Sequence, residues 1–403
     1  IYMNIVNIPL HNLNNLNYYG LYNGRNIQYL TEDGITINGW HILPPGEISW
    51  NSSKIRNKVL KEKYFNEQLS KAETIIIQLH GNAANRGVPR RIELMKQLSS
   101  ELSAHVIAID YRGFGDSTGW PSEDGTTKDL FGLWKWLDNI ISSTPNTSST
   151  TSINSLTNQT ITTTITTTTT RPKIIIYGLS LGTGIAVEFL YHLTKQQQQQ
   201  QLKSSDESQF KLQPPLYPSG LILNSPFSSI QDAIHDYPYA APLRIFPFVF
   251  KLMSKFLSIH YSTVDHIHII NCPILILHGT DDKTIPIHHS RKIIKSYELH
   301  SSHMTCDLNQ NQLDHNSNCD LSNNNNNNNN TDESNIHIIN KCSLRVKAIE
   351  NGDAFSGMEC ISTQRNQSLP VISLVELPNG THENVFRLND WLVTVPDFIQ
   401  KCR

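Results

Sequence analysis

The segment Ile174-Ile175-Ile176-Tyr177-Gly178-Leu179-Ser180-Leu181-Gly182-Thr183-Gly184 constrains this chain more than any other. Its unbroken apolar start is a buried strand, and Gly184 to Leu193 beyond it has the apolar spacing of a helix. Between the two stands G-x-S-x-G. A strand that becomes a helix over so few residues forces the central Ser into a strained backbone with its hydroxyl exposed, and side chains at the flanking glycines would collide with neighbouring elements. Ser180 is therefore a candidate nucleophile. The competing reading is an ordinary Gly-rich turn, and the strand and helix on either side weigh against it.

The same kind of strand recurs along the chain. Thr74 to Leu79 and His105 to Ile109 are short apolar strands, separated by a helix with Ile92, Leu94, Met95 and Leu98 at helical spacing. Asp129 to Ile141 is a further helix by period, and strands are expected at Lys173 to Tyr177, Gly220 to Leu223, Pro273 to Leu277 and Val371 to Glu376. Upstream, Leu30 to Leu43 alternates around Asp33-Gly34 and predicts a hairpin. Short apolar strands alternating with helices predict an α/β protein, its mostly parallel sheet covered on both faces.

Three biased tracts interrupt this pattern: Ser/Thr/Asn-rich at 142–171, Gln-rich at 195–213 and Asn-rich at 297–368. They fall between predicted elements, where a longer loop costs little extra closure entropy, and their polar runs bury nothing, so they are expected to be disordered. Setting aside roughly 120 such residues leaves about 280, the size of one α/β domain. Residues 1–403 thus read as one domain, with an N-terminal region at 1–72 that carries the hairpin.

Composition narrows the function. A net charge of -2 with 17% charged residues argues against nucleic-acid binding by bulk electrostatics. No run approaches the ~18 apolar residues that cross a bilayer, and the first residues lack a signal-peptide pattern. The six cysteines form no CxxC or zinc-like array, and HExxH, P-loop and dinucleotide fingerprints are missing, so no metal or cofactor is implied. Glycosylation sequons stand at Asn51, Asn146, Asn158, Asn329, Asn366 and Asn379.

A Ser hydroxyl is a poor nucleophile unless a His takes its proton, and that His needs a carboxylate to fix its tautomer. After the strand at Pro273 to Leu277, Asp281 and Asp282 place a carboxylate at the carboxyl end of the sheet; Asp282 is preferred. After the last predicted strand comes His382 in a Gly-containing loop, which completes the chain order Ser, Asp, His. Two N–H donors for an oxyanion are expected from Leu181 and from the loop after Thr74 to Leu79, where Asn82 is preferred to Ala83. His80 in that loop reads as a packed structural histidine.

The blocks LHGNAANRG (79–87), RRIELMKQLSS (90–100), DYRGFGDSTGWPSEDGTTKD (110–129), GLSLGTGIA (178–186), LILNSPFSSI (221–230) and PILILHGTDD (273–282) resemble the alpha/beta-hydrolase-domain-containing protein 12 family, monoacylglycerol and lysophosphatidylserine lipases. The resemblance covers most of the chain outside the three tracts. It implies the α/β-hydrolase fold, with nucleophile, acid and base at Ser180, Asp282 and His382. It also implies a lipid ester substrate, a membrane surface as partner, and an N-terminal anchor in the endoplasmic reticulum membrane with the site on the luminal or extracellular side. The sequence around Gly-Thr-His-Glu-Asn departs from the family's context at the base.

Between 230 and 262 an aromatic and apolar stretch is expected to cap the nucleophile and suit an acyl chain, with Phe246 and Phe248 as contacts; core packing is the alternative. Arg86, Arg90 and Arg91 are candidates to hold a phosphate headgroup through bidentate contacts, against a reading as ordinary helix-surface charge. A broader carboxylesterase, thioesterase or serine peptidase would use the same residues, and a silent scaffold would be expected to lack one of them. A glycan on Asn379 would crowd His382, so that sequon is expected to stay unmodified.

Overall fold

Apolar runs and turn glycines set the order of elements in the computed structural model, which describes residues 12–46, 58–143, 148–153, 160–165, 171–203, 216–237, 259–310 and 372–402. The expected hairpin forms from β1 (Gly24–Leu30) and β2 (Thr36–Ile42), paired antiparallel around Gly34 at φ 78°. Next come α1 (Lys58–Ser70), β3 (Thr74–Leu79), α2 (Pro89–Glu101), β4 (His105–Asp110) and α3 (Glu123–Ser142). A two-stranded ribbon, β5 (Ser148–Ile153) and β6 (Thr160–Ile165), precedes β7 (Lys173–Leu179) and α4 (Leu181–Lys203). The rest of the chain adds β8 (Gly220–Asn224), α5 (Ile230–Asp236), α6 (Thr263–His266), β9 (Ile274–Gly279), α7 (His288–Gln310), β10 (Ile372–Leu377) and α8 (Asn389–Lys401).

The main sheet has eight strands in the order β1-β2-β4-β3-β7-β8-β9-β10. From β4 to β10 neighbouring strands pair in parallel, and β2 joins β4 antiparallel. Successive side chains of a strand face opposite ways, so a strand covered on both sides must be apolar throughout. Ile75, Ile77, Ile174 and Ile176 enter one core layer, whereas Ile76, Ile175 and Ile222 enter the other. That is why TIIIQL and KIIIY read as continuous runs. Parallel strands also end on one side, which gathers the loops after β3, β7, β9 and β10 at a single edge of the sheet. This is the α/β-hydrolase fold expected from the sequence.

Parts of the tracts expected to be disordered take regular backbone. The Gln run continues α4 to Lys203, in line with the good helix propensity of Gln, and α7 extends to Gln310. Ser148–Ile153 and Thr160–Ile165 pair as strands, as β-branched Thr favours. Their other residues lie mostly outside the described set. The helix expected from Asp129 begins at Glu123 instead, because the Ser122 hydroxyl caps it by accepting the Gly125 N–H at 3.0 Å. Among the described residues no helix is long and apolar enough to cross a membrane.

Candidate active site

Ser180 sits in the one-residue elbow between β7 and α4, at φ 52°, a left-handed conformation that is costly for a residue with a side chain. Its N–H extends the sheet by donating to the Asn224 carbonyl at 3.0 Å. The motif's glycines are required by contact distances. A Cβ on Gly182 would fall 2.3 Å from the Leu79 carbonyl oxygen, and one on Gly178 would fall 2.7 Å from that of Gly182. Leu181 is the first residue of α4, so its N–H has no acceptor within the helix and lies at the positive end of the helix dipole.

The loops after β9 and β10 are joined by close backbone approach. A Cβ on Gly279 would meet the Gly380 carbonyl oxygen at 2.2 Å; the Asp281 N–H donates to that oxygen at 2.8 Å, and the Thr280 N–H donates to Leu377 at 3.0 Å. This seam brings Asp282 to His382. The buried Asp282 carboxylate accepts the Thr284 and Ile285 N–H groups on Oδ1, each at 2.9 Å, and the His382 Nδ1–H on Oδ2 at 2.7 Å. Burial alone would raise its pKa; the His382 hydrogen bond and charge, with the Ile285 amide, outweigh it and hold the carboxyl below its ordinary value. Asp281 is exposed, so burial separates the two acids that sequence left adjacent. With Nδ1 committed to the carboxylate, Nε2 is the His382 nitrogen that can accept a proton.

Ser180 and His382 line the same cavity, about 470 Å³ in volume. Its wall also includes Gly81, Asn82 and Ala83 from the loop after β3, together with Leu181. The Ala83 N–H donates to Asn82 Oδ1 at 2.9 Å. Ala83 and Ala84 both hold positive φ, at 65° and 56°, so the loop's shape needs external support. Arg91 gives that support: its guanidinium donates to the carbonyls of Asn85 at 2.8 Å, Gly81 at 3.0 Å and Ala83 at 2.9 Å.

The structure places both arginines expected to meet a headgroup in buried positions; of the two, Arg91 lines the Ser180 cavity and Arg86 does not. Arg91 is 2% exposed, and burial pulls its pKa down to about 10 while leaving it charged at neutral pH. Arg86 is 1% exposed and pairs with Asp110 at 2.5 Å and Asp116 at 2.6 Å. Both arginines are committed to protein partners. Arg90 alone of the three is substantially open, 38% exposed, on the cavity wall and 3.0 Å from Glu383. Phe246 and Phe248 lie outside the described residues, as do most of 230–262; from its start, Ile230, Ala233, Ile234 and Tyr237 reach the cavity. Removing one partner of a buried ion pair strands the other charge. Arg86→Ala is therefore expected to cost about 3–5 kcal/mol, read as a lower urea midpoint with unchanged slope.

His80 is the packed histidine that sequence suggested: buried, with Nδ1 donating to the Gly81 carbonyl at 2.8 Å and Nε2 3.1 Å from Asp110 Oδ1. Sequence reasoning overlooked His278. Its Nε2–H donates to the Ile285 carbonyl at 2.7 Å and its Nδ1 meets the Ser290 hydroxyl at 2.6 Å, bracing the loop that carries Asp282. Only its position four residues before Asp282 hinted at this. Asn379 is exposed at φ 58°, and the other sequons lie outside the described residues.

Residues 74–204 match the family profile described as the alpha/beta hydrolase fold. The sheet order, the elbow at Ser180 and this match make the chain an α/β hydrolase by fold. Among proteins of that fold it is a relative of the ABHD12 group, as the sequence blocks indicated. Over 299 residues it is 30% identical to lysophosphatidylserine lipase ABHD12 of Mus musculus, covering 73% of this chain and 61% of the mouse protein. It is 29% identical over 298 residues to that of Danio rerio, covering 73% and 64%. With protein ABHD12B of Homo sapiens it shares 26% identity over 280 residues, covering 68% and 61%. The chain thus spans less than two thirds of the length of these relatives.

Proposed function

We propose that this chain is a serine hydrolase that cleaves the acyl ester of lysophospholipids of the lysophosphatidylserine type and of monoacylglycerols. The observation that carries this reading is one cavity lined by both Ser180 and His382, with the His382 Nδ1–H on the buried Asp282. His382 Nε2 takes the Ser180 proton as the hydroxyl attacks the ester carbonyl. The amides of Leu181 and Asn82 receive the oxyanion, and His382 then protonates the departing alcohol. Water, deprotonated by the same nitrogen, attacks the acyl-enzyme and restores Ser180.

The substrate class is supported by the rest of the wall. Leu181, Phe227, Ile230, Ile234 and Ile285 give it an apolar surface suited to an acyl chain, with Arg90 as the cation able to meet a headgroup phosphate. The relatives bear the name lysophosphatidylserine lipase. A lipid ester of this kind is met at a membrane surface. The test compares turnover of lysophosphatidylserine, monoacylglycerol and short p-nitrophenyl esters by the purified protein. Cleavage of the lipid esters is expected, and turnover of short soluble esters alone would reject the lipase reading. Arg90→Ala should raise KM for lysophosphatidylserine about 5- to 10-fold, the worth of one partly solvated charge-assisted hydrogen bond, and leave KM for uncharged monoacylglycerol unchanged.

A further inference from the structure

A second cluster of polar side chains lies where α5 meets α7. Asp236, the last residue of α5, has its Oδ2 2.7 Å from His288 Nε2 and 3.4 Å from His289 Nε2. These histidines are the first two residues of α7, and their rings stack with centroids 4.5 Å apart. One ligand atom from each of the three residues lies within 4.8 Å of the other two. None of the three lines the Ser180 cavity.

His289 supplies the second observation. Its Nδ1 lies 2.9 Å from the Ser228 hydroxyl, which donates its own proton to Asp232 Oδ2, and 3.3 Å from the Ser228 amide, whose N–H donates to it. Its Nε2 is fully buried, has no hydrogen-bond partner and is aimed at the Asp236 carboxylate. A buried polar atom left unpartnered against a carboxylate and a second imidazole offers a ligand position.

We propose that Asp236, His288 and His289 form a zinc-binding site, with two imidazole nitrogens, one carboxylate oxygen and water as the fourth ligand. Imidazole and carboxylate donors suit Zn²⁺, and the Ser228 hydroxyl and amide at His289 Nδ1 are the outer contacts that orient a metal-binding histidine. His288 exposes 58% of its side chain, so it can shift its proton to Nδ1 and present Nε2 to the metal at little cost. The two halves of the site are 52 residues apart, which is why no spacing in the sequence displays it. A metal here would fasten the end of α5 to the start of α7. Because Ile230, Ala233 and Ile234 of α5 wall the cavity, the site's role is to fix that wall.

The test is calorimetric titration of the chelator-treated whole protein with zinc chloride. One equivalent is expected to bind, with a rise in the unfolding midpoint. His288→Ala and Asp236→Asn should each weaken binding at least about tenfold and remove the thermal shift. Because the chain has 17 histidines, His300→Ala serves as the control. It is exposed on the same helix, stacked on His268 at 4.2 Å, and should bind zinc as the wild type does. Should Asp236→Asn not fold, the exposed His288 decides alone. Lack of stoichiometric binding, undiminished affinity in His288→Ala, or equal loss in His300→Ala would each overturn the site.

Discussion

Ser180→Ala is expected to abolish labelling by an alkyl fluorophosphonate and to lower kcat for a lysophospholipid ester by roughly 10⁴-fold or more. The loss should be chemical, with folding retained. The substitution removes a single oxygen, whereas the features that make the elbow are backbone contacts: the Ser180 N–H on Asn224, and Gly178 and Gly182 at distances that admit no Cβ. Ala meets the same strain at φ 52° that Ser does. What remains in the variant is a cavity with the proposed oxyanion donors and apolar walls, which is expected to sustain only weak catalysis over water. Labelling of the variant equal to wild type would show that the reactive nucleophile lies elsewhere and would undo the proposed mechanism.

The sheet was legible because burial on both faces leaves no choice of residue: Ile75 to Ile77 and Ile174 to Ile176 serve opposite core layers in alternation, and an apolar run is the only sequence that does so. Ser180 was legible for a related reason. Its elbow demands glycines at fixed positions, and glycine leaves a mark in sequence. Charge leaves a weaker mark. Arg90 and Arg91 are adjacent and chemically identical, but consecutive helix residues point about 100° apart, so Arg90 stays exposed at the cavity rim while Arg91, which also lines the cavity, is buried with its guanidinium on the loop carbonyls. Arg86 read as a headgroup candidate because its partners Asp110 and Asp116 stand 24 and 30 residues away. Asp281 and Asp282 are adjacent and alike in sequence, where position alone favours Asp282; burial and the His382 hydrogen bond distinguish them in the fold. Polar Gln and Thr runs pointed to disorder because they offer no core face, although their helix and strand propensities are adequate where a neighbouring element starts them.

Asp282→Asn should lower kcat by roughly 10³- to 10⁴-fold while leaving the fold nearly intact at neutral pH, and the hydrogen bonds around the carboxylate say why. Oδ1 accepts two N–H groups, from Thr284 and Ile285, so the Asn carbonyl oxygen must take that place. The amide NH₂ then occupies the position of Oδ2 and points at His382 Nδ1, which donates to Oδ2 in the wild type at 2.7 Å. Two donors cannot face each other. His382 should then adopt the tautomer with its proton on Nε2, the nitrogen proposed to accept the Ser180 proton, and the proposed general-base catalysis is expected to be lost although every atom is nearly in place. The same carboxylate gives a second readout. Its folded-state pKa lies below the ordinary value, burial being outweighed by His382 and the loop amide, so the unfolded chain binds this proton at higher pH than the folded one. The stability it supplies is complete above the unfolded value near 4 and disappears as pH falls through the folded value. Urea unfolding from pH 6 downward should therefore show a steeper acid loss in wild type than in Asp282→Asn. A variant that retained wild-type kcat, or that lost stability in acid as steeply as the parent, would remove Asp282 from the role assigned to it.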